Sequence, residues 1–446
     1  MLLNRQILEH AKALIAKHGT DIWWSSSEAE LLPADYAQLA DQYIKGTDTM
    51  DVWFDSGSSW AAVVTQRDGL TYPADLYLEG SDQHRGWFQS SLLTSVAVNG
   101  IAPYKRVLTH GFVLDEKGYK MSKSLGNVVD PKLVIDGGAN VDKQPAYGAD
   151  TLRLWVASVN YESDVCIGDS ILKQTSDSYR KLRNTARYLL GSLHDYNPAS
   201  HAVPFEQLPA LDQYLLGVYA QFMREATKEY DGYSFSRVFS LLQQFAVSDL
   251  SNFYLDIAKD RLYIASADEF RRRSCQTVLA RMLHGISAVI APIMPHMAED
   301  IWQRLPFPVD QTSIFEAGWP TAEEADNFEA TSAEWQKVRT LRDVVNKQLE
   351  AARLAKTVGS SLEAKLLLHT SDAGLHATLT RLAAAHNGVD DLRYLFIASQ
   401  VELVQGWIPF DCPLIASNEL GLPLSSGRAR PERRGSEQRG DARLAL

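Results

Sequence analysis

From residue 169 to 304 the chain repeats apolar residues at helical spacing, with almost no strand-type alternation. Leu182, Ala186 and Leu189 form one stripe, and residues 208–230, 234–264 and 270–304 carry three longer amphipathic patterns. Pro292 and Pro295 end or break the last of these. Apolar residues spaced three to four apart place one sticky stripe on each helix, and four such helices bury their stripes by forming a bundle. The texture before residue 165 is different, with short strand patterns and helical patterns in alternation, as layered α/β structure requires. After residue 330, Trp335, Val338, Leu341, Val345 and Leu349 form another helical stripe that Gly359 ends, and Ala364-Lys-Leu-Leu-Leu-His369 reads as a strand. The fold expected is therefore α/β, then an all-α helical bundle, then a small α/β unit.

At 446 residues the chain is long enough for about two to four domains. Leu3, Ile7, Leu8, Ala11, Leu14 and Ile15 predict a helix over residues 1–19, stopped by Gly19. Asn4, Arg5, Glu9 and Lys12 interrupt that stretch, so it does not read as a signal peptide. No apolar run approaches the roughly 18 residues that span a bilayer, so a soluble, cytoplasmic monomer is expected. Cys166, Cys275 and Cys412 are widely separated, which suggests neither a disulfide framework nor a zinc knuckle. The net charge of −11 argues against a nucleic-acid partner only as a whole-molecule sum, since a local basic face is still able to bind RNA.

Chemistry concentrates in a few stretches. Gly118-Tyr-Lys-Met-Ser-Lys-Ser-Leu-Gly-Asn127 sets Lys120 and Lys123 three apart in a loop of Ser, Gly and Asn. Ammonium groups, the hydroxyls of Ser122 and Ser124, and open backbone N–H groups suit a polyphosphate. In Asp51-Val-Trp-Phe-Asp55 two carboxylates lie four apart. They read equally well as paired acids or as part of an aromatic-lined, capped turn. Residues 75–88 run as a short strand through Tyr77 and Leu78, then turn at Gly80 into a helix with Ser81 as its expected cap. Glu79, Asp82, Gln83 and Trp87 follow at the strand's carboxyl end, where open α/β sheets bind ligands. Residues 105–114 form the next strand and bring His110 to the same edge. Between Lys173 and Arg187, Arg180, Lys181 and Arg183 join these two against a single acid, Asp177. Such a face is either solvated or a surface for RNA phosphates.

Taken together, residues 51–60, Leu78-Glu-Gly-Ser-Asp-Gln-His-Arg-Gly-Trp87, His110-Gly-Phe-Val113 and residues 120–127 resemble the isoleucyl-tRNA synthetases of class I, in that order. So do Ser178-Tyr-Arg-Lys-Leu-Arg-Asn-Thr-Ala-Arg187 and Asp249-Leu-Ser-Asn-Phe-Tyr-Leu-Asp-Ile-Ala-Lys-Asp-Arg261. The resemblance covers residues 1–415 and implies ATP-dependent activation of isoleucine and its transfer to tRNA(Ile). It implies that residues 1–165 are the second half of a Rossmann-type nucleotide-binding domain, residues 166–330 a helical anticodon-binding domain, and residues 331–415 a junction domain. Residues 416–446 stay outside it and read as a disordered or non-native basic tail.

By the same resemblance, Lys120 and Lys123 are catalytic, and Lys123, His110, Ser122 and Ser124 bind ATP. Glu79, Asp82, Gln83 and Trp87 bind the aminoacyl-adenylate, and Arg180, Lys181, Arg183 and Arg187 bind tRNA. Magnesium is expected with ATP, and no metal or zinc site of the chain's own. The family's His-x-Gly-His signature, its large editing insertion and its Cys-rich zinc module do not occur in these 446 residues. The expectation is a fragment that is not competent alone. A non-catalytic tRNA-binding protein on the same fold, and a valyl- or leucyl-type synthetase, are the other readings.

Overall fold

The computed structural model describes residues 4–320, 328–384, 390–404 and 442–445. They form two compact units, residues 1–110 and 111–446.

The first unit opens with α1 (Arg5–His18), which starts where the Asn4 side chain accepts the Ile7 N–H and stops at Gly19, whose φ of 80° lies in the left-handed region. Further on come α2 (Val52–Gly57), β1 (Tyr77–Gly80), α3 (Trp87–Asn99) and β2 (Val107–His110). β1 and β2 pair in parallel, Tyr77 opposite Val107 and Gly80 opposite His110, with α3 as the crossover between them. α2 lies close against α3 because residue 57 is glycine: a Cβ there would stand 2.7 Å from the Ser90 hydroxyl. α3 buries Phe88, Ser91 and Ser95, and the serines satisfy themselves locally, Ser91 on the Trp87 carbonyl and Ser95 on that of Ile101.

In the second unit, β3 (Val113–Leu114) pairs in parallel with β4 (Val165–Cys166). Between them lie the lysine loop, α4 (Pro131–Asp136) and α5 (Ala149–Ser158). A small core of Val134, Trp155, Ile167 and Leu172, with Met121 against it, sits here. The helical body follows as α6 (Asp169–Ser192), α7 (Ala210–Asp231), α8 (Phe235–Gln243), α9 (Leu255–Tyr263), α10 (Phe270–Ile290), α11 (Pro295–Trp302) and α12 (Phe328–Leu354). The predicted helix over 234–264 is continuous but widens into a π-helix over Gln244–Tyr254. Wide turns shift the phase of the side chains, and Asp249 comes to face the interior with Phe245, Leu250 and Phe253. The break expected near Pro292 and Pro295 is real: α10 ends at Ile290, and Pro295 opens α11. A final unit combines α12 with β5 (Ala364–Leu368), α13 (Ala373–Ala383), α14 (Asp391–Phe396) and β6 (Gln400–Leu403).

Contacts do not divide the described residues at 165 or at 330. Residues 111–165 group with the helical body, not with residues 1–110. The reason is α5, whose Leu154 and Ala157 belong to the main helical core. On the same helix, Asp150 accepts the Met297 N–H at 2.7 Å and meets His296 Nδ1 at 2.8 Å. One turn away, Arg153 donates to the carbonyls of Ile293 at 2.9 Å and Pro292 at 2.8 Å. Likewise, Trp335, Val338 and Val345 of α12 lie in that same core, so no break in packing falls at residue 330. Most of the tail lies outside the described residues; β7 (Ala442–Ala445) is the part of it that is described. It pairs in parallel with β5, giving a sheet ordered β6-β5-β7. Cys412 also lies outside the described residues. Among the described residues no helix is long and apolar enough to cross a membrane.

A charged group lies fully buried in the bundle, Asp212 on α7. Arg261 Nη1 reaches both its oxygens at 3.0 and 2.9 Å, and the Tyr254 hydroxyl donates at 2.7 Å. Breaking one side of such a pair strands a charge in a dry interior, at a cost of about 3–5 kcal/mol. Arg261→Ala is expected to lose about that much in urea unfolding, and the double change Asp212→Leu with Arg261→Met is expected to lose clearly less. A second network joins Asp195 to Arg272, Arg273 and Gln276. The Arg272 bond, ahead of the opposing burial, holds the Asp195 carboxyl well below its ordinary range. A depressed carboxyl contributes stability that is present above the unfolded value, roughly 3.9, and is lost as pH falls through the folded one. Acid titration of unfolding is therefore expected to destabilise the native chain more steeply below roughly pH 4 than it destabilises Asp195→Asn.

Candidate functional site

Within the first unit, parallel pairing places the carboxyl ends of β1 and β2 side by side, so Glu79 and Gly80 stand opposite Thr109 and His110. Residue 80 must be small: a Cβ there would lie 2.8 Å from Asp82 Oδ1 and 3.6 Å from His110 Cε1. The Asp82 carboxylate and the His110 ring thus converge over one strand end. Gln83 Nε2 donates to Asp82 at 3.3 Å, and its Oε1 accepts the Trp87 N–H at 3.1 Å. Gln83, not Ser81, is therefore what caps α3, because residues 81–85 form a 3₁₀ turn and the α-helix begins only at Trp87. The Trp87 indole stacks on Tyr77, with centroids 4.1 Å apart and planes 4° from parallel, and its Nε1 donates to the Ser56 carbonyl at 3.0 Å. One indole face is thereby covered. Glu79 and Asp82 are exposed, whereas Gln83 and Trp87 are half-buried. The Asp51–Asp55 pair resolves toward the turn: Asp51 caps α2 by accepting the Trp53 N–H at 2.8 Å.

The lysine loop of the second unit is built by short-range bonds. Asp115 accepts the N–H groups of Lys117 and Tyr119 through Oδ1, at 2.9 and 2.8 Å, and Asn127 Nδ2 through Oδ2 at 2.9 Å. The Asn127 carbonyl oxygen in turn accepts the Ser122 N–H at 2.9 Å. These donors, the Asn127 amide first, hold the Asp115 carboxyl below its usual range. Met121 anchors the middle of the loop, its sulfur accepting the Val129 N–H at 3.4 Å. With Met121 turned inward, Lys120 and Lys123 point out and are exposed. The Lys120 ammonium lies 5.0 Å from the Phe112 ring centroid, a cation–π contact that holds it near the loop's root. Ser122 and Ser124 set their hydroxyls 3.1 Å apart. The structure thus brings Lys120, Lys123, Ser122 and Ser124 onto one loop, and Asp82 and His110 together at one strand end with Gln83 bonded to Asp82; Glu79 is exposed on β1, and Trp87 lies against Tyr77 at the strand's other end.

On α6, Lys173, Arg180, Lys181, Arg183 and Arg187 are all exposed. Arg180 is bonded to Asp177, and Arg183 lies 3.5 Å from Asp300 of α11. Leu172, Leu182, Ala186 and Leu189 occupy the opposite, buried face. Sequence reasoning passed over Asp115 and Glu116, which shape the loop from its root. Their only signal is position, two carboxylates immediately ahead of a lysine- and glycine-rich turn. Among the described residues no group of three or more His, Cys, Asp and Glu side chains is arranged to hold a metal ion.

The chain resembles known proteins over most of its length. Residues 1–168 match the family described as tRNA synthetases class I (I, L, M and V), and residues 212–368 match the anticodon-binding domain of tRNA ligase. The isoleucine–tRNA ligase of Synechococcus sp. is 59% identical over 406 residues, which is 90% of this chain and 43% of that protein. That of Crocosphaera subtropica is 58% identical over 408 residues, 90% of this chain and 42% of that protein. Over nine-tenths of its length this chain resembles the isoleucine–tRNA ligases of class I. It spans less than half the length of the curated relatives it matches. A solved Mycobacterium tuberculosis methionyl-tRNA synthetase with methionyl-adenylate aligns over 70% of this chain and 64% of its own, at 19% identity and a TM-score of 0.49. That distant likeness adds nothing to the resemblance.

The loop geometry carries its own test. Asp115→Ala removes the acceptor of three bonds at once and is expected to raise hydrogen exchange across residues 117–127 while leaving exchange in α7 and α10 unchanged. For the native chain, protonating Asp115 has the same effect: its carboxyl is depressed, so the loop's order is present above the ordinary carboxyl range and is lost as pH falls through the folded value. Exchange measured as a function of pH, corrected for intrinsic rates, reads this directly.

Proposed function

We propose that this chain is the part of an isoleucine–tRNA ligase that handles the adenylate, the ATP phosphates and the tRNA body. The reaction is activation of isoleucine by ATP, followed by transfer of isoleucine to tRNA(Ile). The amino-acid carboxylate attacks the α-phosphorus and pyrophosphate leaves. A phosphoryl centre of this kind needs positioning and neutralised charge more than covalent chemistry from the protein.

Lys123, exposed at the loop's tip, neutralises the phosphates of ATP, and Lys120 supports it from the root. Ser122 and Ser124 donate to phosphate oxygens, and magnesium arrives with ATP as its counterion. Glu79 takes the ammonium of the aminoacyl-adenylate, Asp82 and Gln83 its hydroxyls, and His110 its adenosine. Trp87, with one face on Tyr77, offers its remaining surface to the branched alkyl side chain. Arg180, Lys181, Arg183 and Arg187 give α6 a face for tRNA phosphates. The Rossmann-type character of the first strand–helix–strand unit, the anticodon-binding role of the helical body and a cytoplasmic, monomeric state belong to the same reading. The observation that carries it is the convergence of Asp82 and His110 at two parallel strand ends, with Gln83 bonded to Asp82, in a chain that resembles these ligases.

The measurement is isoleucine-dependent ATP–pyrophosphate exchange, on the chain alone and with a relative's His-x-Gly-His segment supplied. Exchange is expected only in the second arm. There Lys123→Ala is expected to lower it by about 10²- to 10³-fold, the usual cost of one electrostatic contact to a developing charge. Exchange driven by valine or leucine in place of isoleucine would reassign the amino acid. Salt-sensitive tRNA binding with no exchange in either arm would leave a non-catalytic RNA-binding protein.

A further inference from the structure

The two carboxylates at the root of the lysine loop face different ways. Asp115 closes the loop on itself, whereas Glu116 leaves the loop and bonds the first turn of α6. Its Oε1 accepts the Ser170 N–H at 2.8 Å and the Ser170 hydroxyl at 2.7 Å. The approach is close: a Cβ on residue 168 would stand 1.9 Å from Glu116 Cγ, so a larger residue there displaces the glutamate side chain. Gly168 is extended, with φ of 173°, so the requirement is space and not backbone conformation. Adjacent backbone reinforces the contact, since the Ile167 N–H donates to the Leu114 carbonyl at 2.9 Å. The Ser170 hydroxyl, first among its donors, keeps the Glu116 carboxyl below its ordinary range, so the bond is made by the charged form.

The helix that Glu116 grips carries all five exposed cations of the basic face. At 24 residues it is roughly 36 Å long, and its buried stripe is packed in the core, so it moves as one body. Lys173 lies three residues from Ser170, and Arg187 lies near the other end. Through Ser170 that helix is bonded to the Glu116 carboxylate, two residues before Gly118 and four before Lys120.

We propose that Glu116, seated over Gly168 and bonded to Ser170, is a positioning residue that couples RNA on α6 to the pose of Lys120 and Lys123. This rests on the assignment of RNA phosphates to α6 made above. The bond makes no contact with the reacting atoms; it sets where the loop's root stands relative to the helix.

Hydrogen exchange on the full chain, with and without an isoleucine-acceptor tRNA transcript, tests this in two reporter stretches, residues 117–127 and 171–190. In the native chain RNA is expected to slow both, the loop by about fivefold, the lower end of ordinary coupling between sites. In Glu116→Ala, an exposed position whose loss leaves the core intact, RNA still slows α6 but the loop no longer responds. Gly168→Ala, which pushes the carboxylate off Ser170, is expected to behave the same way. Glu116→Gln, which keeps an oxygen for the Ser170 N–H, recovers part of the response. A loop that slows equally in Glu116→Ala overturns the proposal, because the coupling then runs by another route. Protection of α6 with no loop response in the native chain also overturns it, while leaving the RNA face standing. Absence of protection on α6 itself removes both the RNA face and the coupling.

Discussion

The second unit depends on one helix satisfying both sides of a broken one. Where α10 stops and α11 begins, carbonyls and N–H groups are left without helical partners, and those turned away from water would each cost a lost hydrogen bond. Asp150 and Arg153, one turn apart on α5, meet them from the same face: the carboxylate takes the N–H groups at the start of α11, and the guanidinium takes the carbonyls of Pro292 and Ile293. Leu154 and Ala157 then pack into the helical core beside that clamp. Everything between Gly111 and α6, the lysine loop included, is thereby held on the helical body.

Given that attachment, the loop needs little more than local chemistry. Its collar is made by Asp115 and Asn127, both short polar side chains able to accept or donate to backbone a few residues away. Met121 supplies the apolar anchor, so the lysines on either side have nowhere to go but outward. A loop of this kind keeps its shape while leaving its cations free to meet a polyanion. Charge is presented without being buried, so the cost of desolvating two ammonium groups is avoided.

In the first unit the same economy comes from sheet geometry. Parallel pairing is in register, so the residue after each strand's last core position arrives at one edge. Gly80 then permits what a side chain would block, the close approach of Asp82 and His110. The polar groups here are mostly exposed and locally bonded, in contrast to Asp212 and Arg261 in the bundle, whose buried pairing serves the fold.

Much of this was legible in residue order, wherever one local interaction decides the outcome. Helical spacing placed α6, α7, α10 and α12 within a few residues, because each stripe has to find a core whatever the topology. Lys120, Lys123, Glu79, Asp82 and Gln83 stood out through the resemblance of their stretches to synthetase motifs, since as isolated patterns they fit ordinary surface turns equally well. Spacing was silent on contacts between residues far apart in the chain: Asp150 with Met297, Glu116 with Ser170, and β7 with β5. It also could not foresee the π-helical widening that turns Asp249 inward to Arg339. The chain's order therefore determined its helices, its loop chemistry and its family resemblance, since these rest on neighbours in sequence. The tertiary fold determined where its units divide and which carboxylate holds which helix, because those depend on backbone groups that only long-range packing brings within hydrogen-bonding reach.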